Sequence, residues 1–196
     1  MFVSAPLAGR TVVFGGSFDP PHFGHASACT YLLDCLGAER VLLVPTYHHP
    51  LGKQSTAFEH RLEMCRRLAA PFGERVLVSE KERELGGAGR TYDLLCALEQ
   101  AEPDTCWVLC VGADILGEVE RWYRWDAICE RVEVVVLGRG GYRPGELDGM
   151  QPVTLPEVSS SEVRTMLAAR ESVWGWVPAT VIDYIQQAGL YQTQKH

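Results

Sequence analysis

Two histidines at helical spacing close a glycine-rich segment near the start of the chain. His22 and His25 stand at the end of Gly15–His25, whose sequence is GGSFDPPHFGH. On a helix this spacing puts both side chains on one face, so both imidazoles can meet the same phosphate through charge-assisted hydrogen bonds. The residue types and their spacing therefore indicate a phosphate site suited to nucleotidyl transfer.

The residues on either side predict a strand, a loop and a helix in that order. Val12–Phe14 is typical of a short buried strand, the two glycines permit a tight exit, and Phe23–Leu36 has a helical pattern. A helix that begins near His22 directs its free N–H groups and positive dipole end at the loop, where an oxyanion is the natural occupant. The plainer alternative is a tight turn with two helix-capping histidines.

A second candidate phosphate element lies far down the chain, at Ser159–Arg164. Ser159 and Glu162 have the spacing of a capping box, which predicts a helix start. Ser160, Ser161 and Arg164 then offer hydroxyls and a guanidinium to polyphosphate oxygens. Alone this pattern is typical of a plain helix cap, whereas together with the histidine loop it favours a nucleotide site.

Composition and charge narrow the class of protein. The chain has 196 residues, 46% of them hydrophobic, and we expect a single domain over residues 1–196. A net charge of −7 argues against broad binding to nucleic acid or to acidic membranes. No apolar run is long enough to span a bilayer and no leader precedes the first strand, so we expect a cytoplasmic protein. Seven cysteines without a CxxC pair indicate neither zinc nor disulfides, and we name no residue as a metal ligand.

Apolar and amphipathic segments alternate along the rest of the chain. Strands are predicted at Arg40–Val44, Arg75–Val78, Trp107–Val111 and Val132–Leu137, and helices at Phe58–Ala70, Asp93–Ala101 and Trp122–Glu130. Such alternation predicts an α/β fold in which helices cover both faces of an open parallel sheet and ligands bind at the carboxyl ends of the strands. Gly138–Gly149, rich in glycine, is predicted to be a mobile loop.

The histidine loop resembles the G-x-[ST]-F-D-P-x-H-x-G-H signature of the nucleotidylyltransferase superfamily at every defined position, and Ser159–Arg164 resembles its SS-[ST]-x-x-R motif. Within the superfamily the chain is similar to the bacterial nicotinate-nucleotide adenylyltransferases. The resemblance implies a single-domain, Rossmann-like fold. It also implies transfer of the adenylyl group of ATP to nicotinate mononucleotide, with Mg²⁺ held mainly by the ATP phosphates.

The resemblance also assigns site residues. It implies three catalytic residues: His22, His25 and Arg164. The implied ATP contacts are Gly15, Gly16, Ser17, Phe18, Gly24, Gly112, Asp114, Ser160 and Ser161. The implied contacts to the acceptor nucleotide are Lys53, Arg90, Thr91 and Trp122, with the indole of the last stacked on the pyridine ring.

Two departures from the family pattern leave the acceptor open. Leu51 replaces an expected histidine, and Lys53 comes one position late. Arg90 occupies a position that is aromatic in the family, where its guanidinium either pairs with the carboxylate that distinguishes nicotinate from nicotinamide or points to solvent.

Other readings of the sequence remain open beside this one. Nicotinamide mononucleotide, phosphopantetheine or a phosphosugar could be the acceptor, and the chain could be a regulator that binds nucleotide without catalysis. The partners expected are ATP and a pyridine mononucleotide, and a homo-oligomer is possible. The closing segment, Val177–Tyr191, resembles the last helix of the family, for which a structural role is expected.

Overall fold

The computed structural model describes residues 6–48, 55–87, 89–113, 121–138 and 150–192. Its strands are β1 Arg10–Gly16, β2 Arg40–Pro45, β3 Val76–Val78, β4 Cys106–Gly112, β5 Glu133–Gly138 and β6 Met150–Thr154. Its α-helices are α1 Phe23–Thr30, α2 Phe58–Ala69, α3 Lys81–Leu85, α4 Thr91–Ala101, α5 Trp125–Arg131, α6 Ser160–Ala168 and α7 Ala179–Gln187. A π-helical turn, Tyr31–Cys35, continues α1, and a 3₁₀ segment, Ala70–Arg75, continues α2.

The six strands form one sheet in the order β3-β2-β1-β4-β5-β6, and every neighbouring pair is parallel. The chain moves outward from β1 to β2 and β3 on one side, and then returns to place β4 on the other side of β1. Connections therefore leave β1 and β4 in opposite directions, which opens a crevice at their carboxyl ends. This crevice is where the sequence predicts the histidine loop.

Alternation along the strands sends side chains into two separate cores. Val12 and Val13 are both buried, but Val12 packs with α1, α2, α6 and α7, whereas Val13 packs with α4 and α5. Val108 and Leu109 of β4 divide in the same way. Helices thus cover both faces of the sheet, which confirms the predicted fold class and explains why the central strands are apolar at consecutive positions.

The structure corrects several predicted boundaries. The helix predicted from Trp122 begins at Trp125, because Arg124 takes a left-handed conformation with φ 57° that a helix cannot include. The helix predicted from Asp93 begins at Thr91, two residues earlier.

Two elements were absent from the prediction. α3 lies in a stretch for which no element was predicted, and β6 is an edge strand that contains Pro152, a residue that lowers strand propensity but is tolerated at edges. Residues 139–149 of the predicted mobile loop lie outside the described residues. Within the described ranges, no helix has both the length and the hydropathy that a bilayer crossing requires.

Candidate active site

The exit from β1 is shaped by an aromatic residue that the glycines accommodate. Phe18 is 1% exposed and has a left-handed backbone, φ 49°. Its ring packs edge-on to Phe14 at 5.7 Å and lies 4.8 Å from the ring of His25. A Cβ at Gly16 would lie 3.3 Å from the same ring, tighter than an ordinary contact. The side chain of Phe18 is thus a core anchor, and this residue can meet a nucleotide only through its main chain.

The two histidines lie together at the start of α1, as their spacing predicts. His22 is the N-cap residue of α1, in an extended conformation, and its backbone N–H donates to Nδ1 of His25 over 3.2 Å. The two rings lie 3.8 Å apart, and both side chains are buried. A Cβ at Gly24 would come within 3.0 Å of the His22 ring, so glycine at this position makes room for the imidazole.

The second phosphate element is bound directly to the first. The predicted capping box of α6 is present: the N–H of Glu162 donates to Ser159 Oγ over 3.1 Å, and the carboxylate accepts the N–H of Ser159 over 3.0 Å. The hydroxyl of Ser160 then donates to the carbonyl of Pro20 over 2.9 Å. Segments 140 residues apart in sequence therefore meet at one place, which a helix cap alone would not require.

Arg164 completes this junction. One nitrogen of its guanidinium, Nη1, donates to the carbonyl of Asp19 over 2.6 Å, and Nη2 donates to Ser161 Oγ over 3.2 Å. The two bonds hold the planar guanidinium across the loop that carries the histidines. His22, His25, Ser160 and Arg164 are thus brought into one site by the tertiary fold.

A network of hydrogen bonds around Asp19 and Arg61, which the sequence did not predict, holds the loop on the side of α2 and the C-terminal segment. The Asp19 carboxylate accepts hydrogen bonds from the Tyr191 hydroxyl over 2.6 Å and from the Thr56 N–H over 3.1 Å. Arg61, only 2% exposed, donates to the carbonyls of Thr56 and Ser17 over 2.8 and 2.9 Å. Burial lowers the pKa of Arg61, while the nearby Asp19 charge opposes that shift.

One feature of the sequence could have identified Arg61 as a buried charged residue. The apolar face of α2 contains Phe58, Leu62 and Cys65, all buried, and position 61 lies on that face by helical spacing. A charged residue in the middle of an apolar stripe indicates a buried charge with dedicated partners. Tyr191 carries no comparable signal, because its partner is set only by the fold.

Three of the four predicted acceptor residues, Arg90, Thr91 and Trp122, lie at the start of α4 and just before α5, in a second cluster that contains aromatic rings and guanidinium groups. Arg90 is the N-cap residue of α4, and its guanidinium lies 4.2 Å from the ring centre of Tyr123. Thr91 is the first residue of α4 and is half-buried. Trp122 is half-buried as well, and its ring meets that of Trp125 edge-on at 5.8 Å. Arg90 is exposed and rests on an aromatic face, a position from which it can reach a carboxylate.

The loop before α4 runs against the residue that follows β2. Gly89 has φ 62°, and a Cβ there would lie 2.6 Å from the carbonyl oxygen of His48, so only glycine fits. Glu82 of α3 accepts the N–H of Tyr47 over 2.8 Å. Burial raises the pKa of the Glu82 carboxyl, and the Tyr47 N–H, Arg61 and His48 partly oppose the shift. The carboxyl ends of β2 and β3 are thereby joined to the start of α4.

The remaining predicted residues fall at the edge of the sheet or outside the described ranges. Gly15 and Gly112 lie at the carboxyl ends of β1 and β4, on the two sides of the crevice. A Cβ at Gly15 would meet nothing within 4 Å, so contacts within the protein do not require glycine there. Lys53 and Asp114 lie outside the described residues.

The chain matches one family model and is similar to several proteins that have the same name. The family model described as cytidylyltransferase-like matches residues 13–166. A protein of Anaeromyxobacter sp. (strain K), named a probable nicotinate-nucleotide adenylyltransferase, is 43% identical over 190 residues, which cover 94% of this chain and 98% of the relative. A protein of the same name from Myxococcus xanthus (strain DK1622) is 40% identical over 182 residues, covering 93% of this chain and 94% of the relative.

Solved structures share the fold at lower identity. The Plasmodium falciparum nicotinic acid mononucleotide adenylyltransferase complexed with NaAD superposes with a TM-score of 0.77 at 20% identity, covering 93% of this chain and 97% of that one. The same enzyme complexed with APC gives a TM-score of 0.76 at 19% identity, with the same coverage. At these identities the likeness supports the Rossmann-like fold alone.

Proposed function

This chain belongs to the nicotinate-nucleotide adenylyltransferase family of cytidylyltransferase-like proteins, and from this membership we propose how its site carries out the reaction. The protein is an enzyme of NAD biosynthesis that transfers the adenylyl group of ATP to nicotinate mononucleotide, giving the deamido dinucleotide and pyrophosphate. The 5′-phosphate of the mononucleotide attacks the α-phosphorus of ATP in line with the departing pyrophosphate. One P–O bond forms as another breaks, so no covalent enzyme intermediate is needed.

Both reacting groups arrive ionised, so the protein contributes positioning and charge neutralisation more than acid–base chemistry. His22 and His25 hold the α-phosphate, where negative charge is shared between incoming and departing oxygens. Their burial supports this role, because a hydrogen bond to an oxyanion is stronger in a site from which water is excluded.

Ser160, Ser161 and Arg164 hold the β- and γ-phosphates. The start of α6 adds the N–H groups of Ser160 and Ser161 and the positive end of its dipole to two hydroxyls and a guanidinium. Together they stabilise the charge that accumulates on pyrophosphate as it leaves. The nucleotide contacts the main chain of the histidine loop at Gly15, Gly16, Ser17, Phe18 and Gly24. The adenosine is bound near Gly112 and Asp114.

We propose that Mg²⁺ enters with ATP and is held mainly by phosphate oxygens and water. The groups at the phosphate site are imidazoles, hydroxyls and a guanidinium, whereas Mg²⁺ prefers carboxylate and phosphate oxygens. The Asp19 carboxylate, which is close by, is already engaged by Tyr191 and Thr56. When bound, the ion neutralises part of the triphosphate charge, and Arg164 neutralises more of it on its own side.

The acceptor nucleotide binds at the second cluster. Trp122 stacks on the pyridine ring, Thr91 lies at the start of α4, and Lys53 reaches the acceptor phosphate. Arg90 pairs with the nicotinate carboxylate, since its guanidinium is exposed and is oriented by the ring of Tyr123. We propose, on this basis, that the chain prefers nicotinate mononucleotide to nicotinamide mononucleotide.

One observation supports the proposed reaction most strongly. The Ser160 and Arg164 side chains donate hydrogen bonds to the carbonyls of Pro20 and Asp19, just before the paired histidines. The test measures pyrophosphate release from ATP and Mg²⁺, with nicotinate mononucleotide, nicotinamide mononucleotide and phosphopantetheine offered separately. We expect turnover with the first and little with the others. Turnover with another acceptor alone would refute the substrate, and ATP binding without any turnover would favour a regulator.

We also propose the domain organisation and the cellular compartment of the protein. Residues 1–196 act as one domain, which the single sheet supports. Seven cysteines, three of them buried and none in a disulfide within the described part of the chain, support a reducing compartment such as the cytoplasm.

A further inference from the structure

The C-terminal segment reaches the phosphate loop through one hydroxyl. Tyr191 follows α7, and its phenol O–H donates to Oδ1 of Asp19 over 2.6 Å, across 172 residues of sequence. Its hydroxyl also approaches Sδ of Met64 at 4.0 Å. Because Asp19 is only 5% exposed, water cannot readily replace this donor if it is removed.

The side-chain carboxylate and the main-chain carbonyl of Asp19 accept hydrogen bonds from different parts of the protein. The carboxylate is held by Tyr191 and by the N–H of Thr56, while the main-chain carbonyl of the same residue accepts Nη1 of Arg164 over 2.6 Å. The next carbonyl, that of Pro20, accepts Ser160. Movement of the carboxylate end would therefore shift the two acceptors that orient the phosphate-binding side chains.

The backbone at Tyr191 indicates that this contact is enforced. The residue has φ 60°, a left-handed conformation that is unfavourable for an aromatic side chain and persists only where the surroundings require it. Burial first, then the charge and hydrogen bond of Asp19, raise the pKa of Tyr191 above its usual range. The hydroxyl accordingly remains a proton donor at every pH at which the enzyme would work.

We propose that Tyr191 is a positioning residue for adenylyl transfer, which acts through Asp19 to place Arg164 and Ser160 against the ATP phosphates. The proposal rests on the proposed function, because it assigns these two side chains to ATP. It gives the closing segment a part in the site besides its structural one.

The test removes the hydroxyl alone, with Tyr191→Phe. We expect the kcat/KM for ATP to fall about tenfold, as for loss of a hydrogen bond to a charged group, while the KM for nicotinate mononucleotide stays within about twofold. Asp19→Asn weakens the same bond from its other end and should reproduce this pattern. Tyr184→Phe is the matched control, since that hydroxyl bonds to His60 over 2.8 Å and has no part in the loop, so its kinetics should match the wild type.

A double-mutant cycle separates positioning from a general structural role. In the Arg164→Lys background, a single ammonium cannot bridge the Asp19 carbonyl and Ser161, so Tyr191→Phe should cost clearly less there than in the wild type, with only the part that acts through Ser160 remaining. An equal loss in both backgrounds would refute the proposal, as would a lowered melting temperature with unchanged kinetics. If the wild type transfers no adenylyl group to any acceptor, the proposed function fails, and ATP affinity by calorimetry still tests the inference: Tyr191→Phe must weaken ATP binding and Tyr184→Phe must not.

Discussion

The backbone N–H of His22 donates to the Nδ1 atom of His25, and this bond determines which nitrogen of the second imidazole carries a proton. A ring nitrogen that accepts a hydrogen bond is unprotonated, so the proton of His25 belongs on Nε2. His25 therefore presents one N–H donor whose direction is set by the first turn of α1. A donor oriented before substrate arrives is what stabilisation of a phosphoryl transition state requires.

Replacement of His25 by alanine should lower turnover more than ATP affinity. In the proposed mechanism the His25 donor acts on charge that develops at the α-phosphate, and loss of one such donor typically lowers kcat about 10²- to 10³-fold. Steady-state pyrophosphate release gives kcat and the KM for ATP. His60→Ala is the matched control, because His60 contacts Tyr184 rather than the loop. An unchanged kcat in His25→Ala would exclude the proposed role.

Arg90→Gln should reduce the preference for nicotinate over nicotinamide mononucleotide. The guanidinium lies on the ring of Tyr123, and its loss removes a charged partner of the carboxylate, which we expect to cost about tenfold in kcat/KM for nicotinate only. Competition between the two acceptors measures the ratio. Arg131→Gln is the control, since that guanidinium is engaged by Glu99 over 2.7 Å. Equal losses for both acceptors would assign Arg90 a structural role instead.

Arg61→Met should destabilise the protein strongly. The substitution removes the buried guanidinium that donates to the carbonyls of Thr56 and Ser17 and whose charge interacts with Asp19, a loss that we expect to cost about 3 kcal/mol in the free energy of unfolding. Denaturant unfolding measures it. Arg66→Met, one turn and a half along α2 at an exposed ion pair with Glu80, should cost less than about 1 kcal/mol. Adding Asp19→Asn to Arg61→Met should recover part of the loss, whereas additive losses would argue against charge pairing.

Glu82→Gln should alter how stability depends on pH. Because the pKa of Glu82 is raised in the folded state, the folded protein binds more protons than the unfolded chain between the ordinary carboxyl pKa and the raised one. The wild type consequently loses stability as pH rises through that window, and the glutamine variant does not. Melting temperatures measured from pH 4 to pH 8 should favour the variant increasingly. Glu84→Gln, at an exposed ion pair with Lys81 on the same helix, serves as the control and should show no such trend.

The histidine loop illustrates how much local sequence determines. Gly15–His25 and Ser159–Arg164 predicted a strand exit and two helix starts, which the structure confirms, because capping, glycine geometry and i, i+3 spacing act over a few residues. The alternating apolar segments likewise predicted a parallel sheet covered on both faces. These features depend on residues that are close together in the sequence, so they can be predicted from the sequence alone.

The hydrogen-bond partners within the site could not be predicted from the sequence, because they are contacts between distant segments. Nothing in the chain indicates that Tyr191 would meet Asp19, or that Ser160 would bond to the carbonyl of Pro20. Those partners are chosen by the order of the strands and by the path of the closing segment, which a local pattern cannot encode. Packing also buried Phe18, which the family resemblance had offered as an ATP contact, because the same ring fills the space beside Gly16 and His25. The sequence thus indicated the groups to which we assign the chemistry, because their types and spacing are local, and the tertiary structure decided which other groups hold them in place.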